Sequence, residues 1–160
     1  MTPSRALEHP EDVDAVLFDF SDVIGYLRMA VAGEPGDHPY VVELHPAASG
    51  AVARLRAAGV LAALVTNNDR GAFAALAPDL GLDELFDAVV FSSDVGAAKP
   101  DFRIFSYALR AVGVDAHRAA FLDDNGRNVD AAAAMGMQGV VVDRPAVVVE
   151  IVDQVLSARA

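Results

Sequence analysis

Five short stretches of the chain are apolar almost without interruption: 13–20 (VDAVLFDF), 60–66 (VLAALVT), 88–92 (AVVFS), 119–122 (AAFL) and 139–142 (GVVV). Each is shorter than a free-standing helix needs and is rich in Val, Leu and Phe. Their apolar character runs on instead of alternating, which predicts parallel strands covered on both faces. Ala-rich segments with helical spacing lie between them, at 45–58, 70–80, 103–112, 128–135 and 146–158. Pro46 stands near the start of the first and Gly59 just past its end, the asymmetry expected of helix boundaries. Gly113 and Gly136 close two of the others.

Strands alternating with helices predict an α/β fold: a three-layer, Rossmann-like domain with a mostly parallel central sheet and right-handed crossovers. No repeat or linker divides the chain, so residues 1–160 read as a single domain. One stretch breaks the rhythm. Residues 25–44 contain GEPGDHPY, dense in Gly and Pro, and read as a loop or small irregular insertion. The insertion comes directly after the first strand, at the sheet edge where open α/β domains bind ligands.

Charge narrows the functional classes. Asp+Glu number 23 against Lys+Arg 12, a formal net charge of -11. Such a chain repels nucleic acid and anionic membrane surfaces, whose non-specific capture needs clustered cations. Hydrophobic residues make up 54%, which excludes a disordered chain. There is no Cys, hence no disulfide, thiolate metal site or cysteine nucleophile. The first fifteen residues lack the apolar core of a secretory signal, and no apolar run approaches the roughly 20 residues that span a bilayer. The expectation is a soluble cytoplasmic protein.

The chemistry lies at the carboxyl end of each strand. The first ends in Asp19-Phe20-Ser21-Asp22, the second in Thr66-Asn67-Asn68; Ala98-Lys99-Pro100 comes after the third and Asp123-Asp124-Asn125 after the fourth. Any one of these alone reads as a cap or turn. In a parallel sheet, however, the four ends share one edge, so the groups converge. Clustered carboxylates raise one another's pKa and invite a divalent cation, and oxygen ligands without His or Cys suggest Mg²⁺. An ionised Asp can be a nucleophile toward phosphorus, with cations supplying the electrostatic relief its approach needs.

In this ordered set the chain resembles the haloacid dehalogenase-like (HAD) hydrolase superfamily. AVLFDFSDVI matches the family's first motif at Asp19, LAALVTNN its second at Thr66, AAKPDFRIF its third at Lys99, and AAFLDDNGRNVDAAAAMGM its fourth at Asp123 and Asp124. The resemblance implies a phosphohydrolase acting on a phosphomonoester through an aspartyl-phosphate on Asp19. Asp19 and the backbone carbonyl of Ser21 would then face Mg²⁺. Thr66 and Lys99 would hold the phosphoryl oxygens, with Asn67 beside them in substrate binding and Lys99 also steadying Asp19. Asp124 aligns with the principal fourth-motif ligand, Asp123 is a neighbouring ligand or lies behind it, and Asn128 helps fix that loop.

The chain departs from the family pattern in two places. Phosphatases of the family usually carry a second Asp two residues after the nucleophile, where this chain has Ser21 and then Asp22. Loss of a general acid typically costs about 10²- to 10⁴-fold. Asp22 is either a substitute or a turn residue, since neighbours on an extended chain point to opposite sides. Many relatives also insert a helical cap between the first two motifs, where this chain has only 25–44. The site is therefore expected to be open or covered by one loop, fitting a small phosphorylated substrate, a bulkier one, or a homo-oligomer that supplies a lid. Arg28, His38 and Tyr40 are loop candidates for substrate contact. A catalytically weak relative that binds phosphate, a metal or a partner protein is the alternative. A phosphorylated receiver domain fits poorly, because receivers place their acidic pair after the first strand and their Lys near the end.

Overall fold

The computed structural model describes residues 6–34, 36 and 39–160. Its strands and helices run β1 (Ala15–Phe18), β2 (Gly25–Met29), β3 (Tyr40–Leu44), α1 (Pro46–Ala57), β4 (Leu61–Thr66), α2 (Arg70–Leu76), α3 (Leu82–Leu85), β5 (Ala88–Phe91), α4 (Ser92–Val95), α5 (Phe102–Val112), β6 (Ala119–Asp123), α6 (Gly126–Ala134), β7 (Gln138–Val141) and α7 (Pro145–Ala158). Five strands form one sheet in the order β5-β4-β1-β6-β7, and every pair in it is parallel. This is the three-layer α/β architecture that the apolar runs predict.

Continuous burial explains those runs. Val16, Phe18, Leu64 and Leu122 pack on one face of the sheet against Val52 and Leu55 of α1 and Val148, Ile151 and Val155 of α7. Leu17, Val65 and Phe121 pack on the other against Ile104 and Phe105 of α5 and Val129 of α6. Each such side chain contributes about 1.5–3 kcal/mol when fully withdrawn from water. A strand covered on both sides has no polar face to alternate with.

Register sets the site. Phe18 of the central strand is level with Leu64 of β4 and Leu122 of β6. The chain runs outward from β1 through β4 to β5, then returns to the other side of β1 as β6 and β7. The loops after β1 and β6 thus diverge from a crevice, and the residues just beyond Phe18, Leu64 and Leu122 line it.

The segment 25–44 differs from its expectation. It is not irregular: β2 and β3 form a separate antiparallel hairpin, with Leu27 level with Val42 and Met29 with Tyr40. The Gly- and Pro-rich part of the sequence lies between the two strands, and His38 lies outside the described residues. Val42 and Leu44 pack back onto the core, whereas Leu27, Met29 and Tyr40 are exposed. Gly25 is required at the hairpin's base, because a Cβ there would stand 2.4 Å from the Phe20 ring and 2.5 Å from the Glu43 carbonyl oxygen. No helix among the described residues is long and apolar enough to cross a membrane.

Candidate active site

Asp19 comes directly after β1, with its backbone N–H donating to the Leu122 carbonyl at 2.9 Å. Its side chain is buried. Lys99, in the loop before α5, is buried too, and its Nζ donates to Asp19 Oδ1 at 2.6 Å and to Asp123 Oδ2 at 2.8 Å. Lys99 is the only lysine in the chain; its other formal cations are arginines. A compact ammonium suits a point between two carboxylates, where a planar guanidinium would need more room.

Lys99 is itself held from behind. Asn67, at the end of β4, accepts the Lys99 backbone N–H at 2.7 Å and donates to the Lys99 carbonyl at 3.0 Å. Sequence reasoning placed Asn67 in substrate binding. In the structure it borders the site, but its carboxamide is occupied in clamping the lysine's main chain. Thr66 is buried, and its hydroxyl oxygen accepts from Asn68 Nδ2 at 2.6 Å. The hydroxyl proton is thereby free to point into the site. This use of Asn68 was not anticipated; the only signal for it is the Asn pair after Thr66.

The acidic pair divides by one residue of strand. Asp123 still belongs to β6 and is fully buried, accepting from Lys99, from the Asn125 backbone at 2.9 Å and from Asn128 Nδ2 at 3.0 Å. Asp124 has left the strand and is exposed. Its carboxyl is pushed up to about 7, chiefly by partial burial and then by Asp123 and Asp19 beside it. Burial likewise pushes Asp19 up; Lys99 opposes this and Asp123 adds to it. Carboxylate oxygens of Asp19, Asp123 and Asp124 all lie within 4.8 Å of one another. Three carboxylates against one ammonium leave a local excess of negative charge, and the donor set is hard oxygen throughout.

These residues, with Ser21, Asn67, Asn68, Asn125 and Asn128, line a hollow of about 220 Å³. That is below the roughly 300–1,000 Å³ of pockets that enclose a drug-sized ligand. A second hollow of about 420 Å³ adjoins it across Asp124 and is lined by Asp22, His45, Val142, Asp143, Arg144 and Pro145. Asp22 sits in a tight turn with a left-handed backbone, φ 61°, so alternation along an extended chain does not govern where it points. Its N–H donates to the Gly25 carbonyl at 2.8 Å. Of the loop candidates, Arg28 is tied to Glu34 and Glu43 and Tyr40 stands exposed on the hairpin; neither lines these hollows.

Known proteins share this chain's sequence pattern and its fold. Residues 40–136 match the model of the haloacid dehalogenase-like hydrolase family, and the chain belongs to that family. It is 34% identical over 113 residues to a phosphoglycolate phosphatase of Mesorhizobium japonicum, covering 71% of this chain and 47% of that one. The chain spans about half the length, or less, of the curated relatives it matches. Among solved structures, a HAD-superfamily hydrolase from Ehrlichia chaffeensis superposes with a TM-score of 0.71 at 14% identity, covering 90% of this chain and 98% of that one. A HAD family enzyme from Bacteroides thetaiotaomicron, solved in complex with magnesium and inorganic phosphate, gives 0.67 at 13% identity, covering 81% and 93%. Both share the fold.

Proposed function

We propose that the chain is a Mg²⁺-dependent phosphomonoester hydrolase that works through an aspartyl-phosphate on Asp19. The observation that carries this reading is the ammonium of Lys99, buried between Asp19 and Asp123 at the edge where Thr66 and Asp124 also stand. A lysine so placed aligns the Asp19 carboxylate and offsets charge as a phosphate approaches. Two unit charges about 4 Å apart interact by roughly 4 kcal/mol at an effective dielectric near 20. Leaving one such repulsion unrelieved would cost about a thousandfold in rate.

The donor set fits Mg²⁺. Asp19, Asp124 and the Ser21 carbonyl would hold it, with Asp123 behind them, and the ion would supply charge neutralisation for the phosphoryl oxygens. The phosphatase relatives and the magnesium–phosphate complex of the Bacteroides thetaiotaomicron enzyme support the same chemistry. Thr66 and Lys99 would donate to the phosphoryl oxygens, and Asn67 would keep Lys99 in place. Ser21 offers no carboxyl to the leaving group, an observation that favours slow turnover, or phosphate binding alone, as the second reading.

A phosphatase screen in Mg²⁺ tests both. The expected result is phosphate release from p-nitrophenyl phosphate that is lost in EDTA and in Asp19→Asn, and a gain in Ser21→Asp. Folded protein that binds phosphate analogues but turns over nothing would leave the second reading standing.

A further inference from the structure

If Asp19 attacks phosphorus, the leaving oxygen needs a proton, and Ser21 does not bring an acid to it. The second hollow, which shares Asp124 with the site, is where the rest of a substrate has room. Its titratable lining comprises Asp22, His45, Asp124, Asp143 and Arg144. Arg144 is paired with Asp143 at 3.1 Å and Glu150 at 3.0 Å, and a guanidinium does not give up its proton near neutrality. Asp124 belongs to the proposed cation site. Asp143 is the partner of Arg144, which leaves Asp22 and His45 as the groups that could deliver a proton near neutrality. Histidine is the side chain that ordinarily carries and releases one there.

His45 is also placed with care. Its backbone N–H donates to the Ile24 carbonyl at 2.8 Å, tying it to the turn that carries Asp22. Its ring lies against Tyr26, with centroids 4.7 Å apart. Tyr26 donates to Glu43 at 2.6 Å, and Glu43 is held in turn by Arg28, which also grips Glu34. Among the described residues neither ring nitrogen of His45 has a hydrogen-bond partner. The hairpin's polar face therefore ends on an unengaged imidazole beside the site, a use for the insertion that its substrate-facing candidates Arg28 and Tyr40 do not provide.

We propose that His45 is the proton donor to the leaving-group oxygen; the inference rests on the phosphohydrolase reading. In the first half-reaction an Asp19 oxygen bonds to phosphorus while the bond from phosphorus to the leaving oxygen breaks. That oxygen keeps the electron pair and takes the proton of the His45 imidazolium, leaving as the alcohol. In the second, water bonds to phosphorus and the bond from phosphorus to Asp19 breaks. Neutral His45 accepts the water's proton, which restores both groups.

The test compares an alkyl with an aryl leaving group, because p-nitrophenolate departs with little help and an alkoxide does not. Release of glycerol from glycerol phosphate and of nitrophenol from p-nitrophenyl phosphate is measured in a single turnover, which reads the first half-reaction alone. His45→Asn should slow alkyl release by about 10²-fold or more, and aryl release by at least tenfold less than that. Ser21→Asp in the His45→Asn background should recover part of the alkyl rate. Equal losses on both substrates, or none on the alkyl one, would overturn the assignment. So would the selective loss appearing in Asp22→Asn and not in His45→Asn. Unfolding curves for each variant separate a folding defect from these outcomes. Wild-type protein that releases neither alcohol would sink the phosphohydrolase reading itself, whereas an active wild type with an indifferent His45→Asn sinks only the proton donor.

Discussion

Two ionic clusters in this molecule use similar groups to opposite ends. At the sheet edge Lys99 joins Asp19 and Asp123 with the lysine and Asp123 side chains only 1% exposed. On the hairpin Arg28 joins Glu34 and Glu43 with all three side chains 27–35% exposed. Burying charge costs several kcal/mol per ion even after relaxation, so a buried cluster is weak evidence for stability. On the proposed reading it persists here because the chemistry needs a preorganised ammonium beside a carboxylate. The hairpin cluster costs little and holds shape. Exposure of the second cluster and burial of the first separate a scaffold from the proposed reactive centre.

The comparison breaks most visibly at Lys99. Lys99→Met leaves two buried carboxylates facing each other, and denaturant unfolding in EDTA should show a loss of about 3–5 kcal/mol together with loss of any phosphatase activity. Lys99→Arg should fail to restore activity, since a planar fork does not fit the point between Asp19 and Asp123. The next effect is indirect. Asn67→Ala removes two hydrogen bonds to the Lys99 backbone and should cost about 1–3 kcal/mol, with activity falling further than stability because the lysine loses its alignment.

A smaller effect has a definite sign in pH. The Asp124 carboxyl sits at about 7 in the folded, cation-free site, raised from its ordinary 3.8. Between those values the folded state binds the extra proton and the unfolded state does not. This group's contribution to stability therefore falls as pH rises from about 4 through 7. A divalent cation takes the proton's place. The rise in melting temperature on adding Mg²⁺ should accordingly be larger at pH 8 than at pH 5.5, and a rise that shrinks with pH would contradict the assignment of Asp124.

The smallest change belongs to the hairpin. Arg28→Ala should shift the melting temperature least of these variants, and less still at high salt, because exposed pairs are screened. Arg28 and then the Val31 backbone hold the Glu34 carboxyl down to about 2. A depressed carboxylate contributes stability above its ordinary pKa and loses it as pH falls toward 2. Hairpin amides should exchange faster in that acid window before the core unfolds; a hairpin unchanged there would mean that the cluster does not hold it.

How much of this was legible in the chain depends on the range of each interaction. The five parallel strands were legible because double-sided burial writes itself as unbroken apolar runs, and Asp19, Thr66, Lys99 and Asp123 because each ends such a run or stands in the loop after it. The division between Asp123 and Asp124 was not: it depends on β6 running one residue past Leu122, a matter of pairing with β7. Sequence reasoning made Asp124 the principal ligand, and its exposed, raised carboxyl beside Asp19 is compatible with that. The clamp of Asn67 on Lys99 spans 32 residues and leaves no periodic trace. The hairpin was obscured by the Gly- and Pro-rich stretch between its strands, although GYLRM and YVVEL on either side carried the strand signal. In the sequence His45 reads as a residue before a helix-starting proline; only the hollow shows what it faces.

The central claim is that Asp19 carries the phosphoryl group. The direct measurement is acid quenching during turnover of p-nitrophenyl phosphate in Mg²⁺, with mass spectrometry of the peptide that contains Asp19. The expected result is one added phosphoryl group on Asp19, absent in EDTA and in Asp19→Asn. Turnover that continues in Asp19→Asn, with no adduct trapped in the wild type, would contradict it.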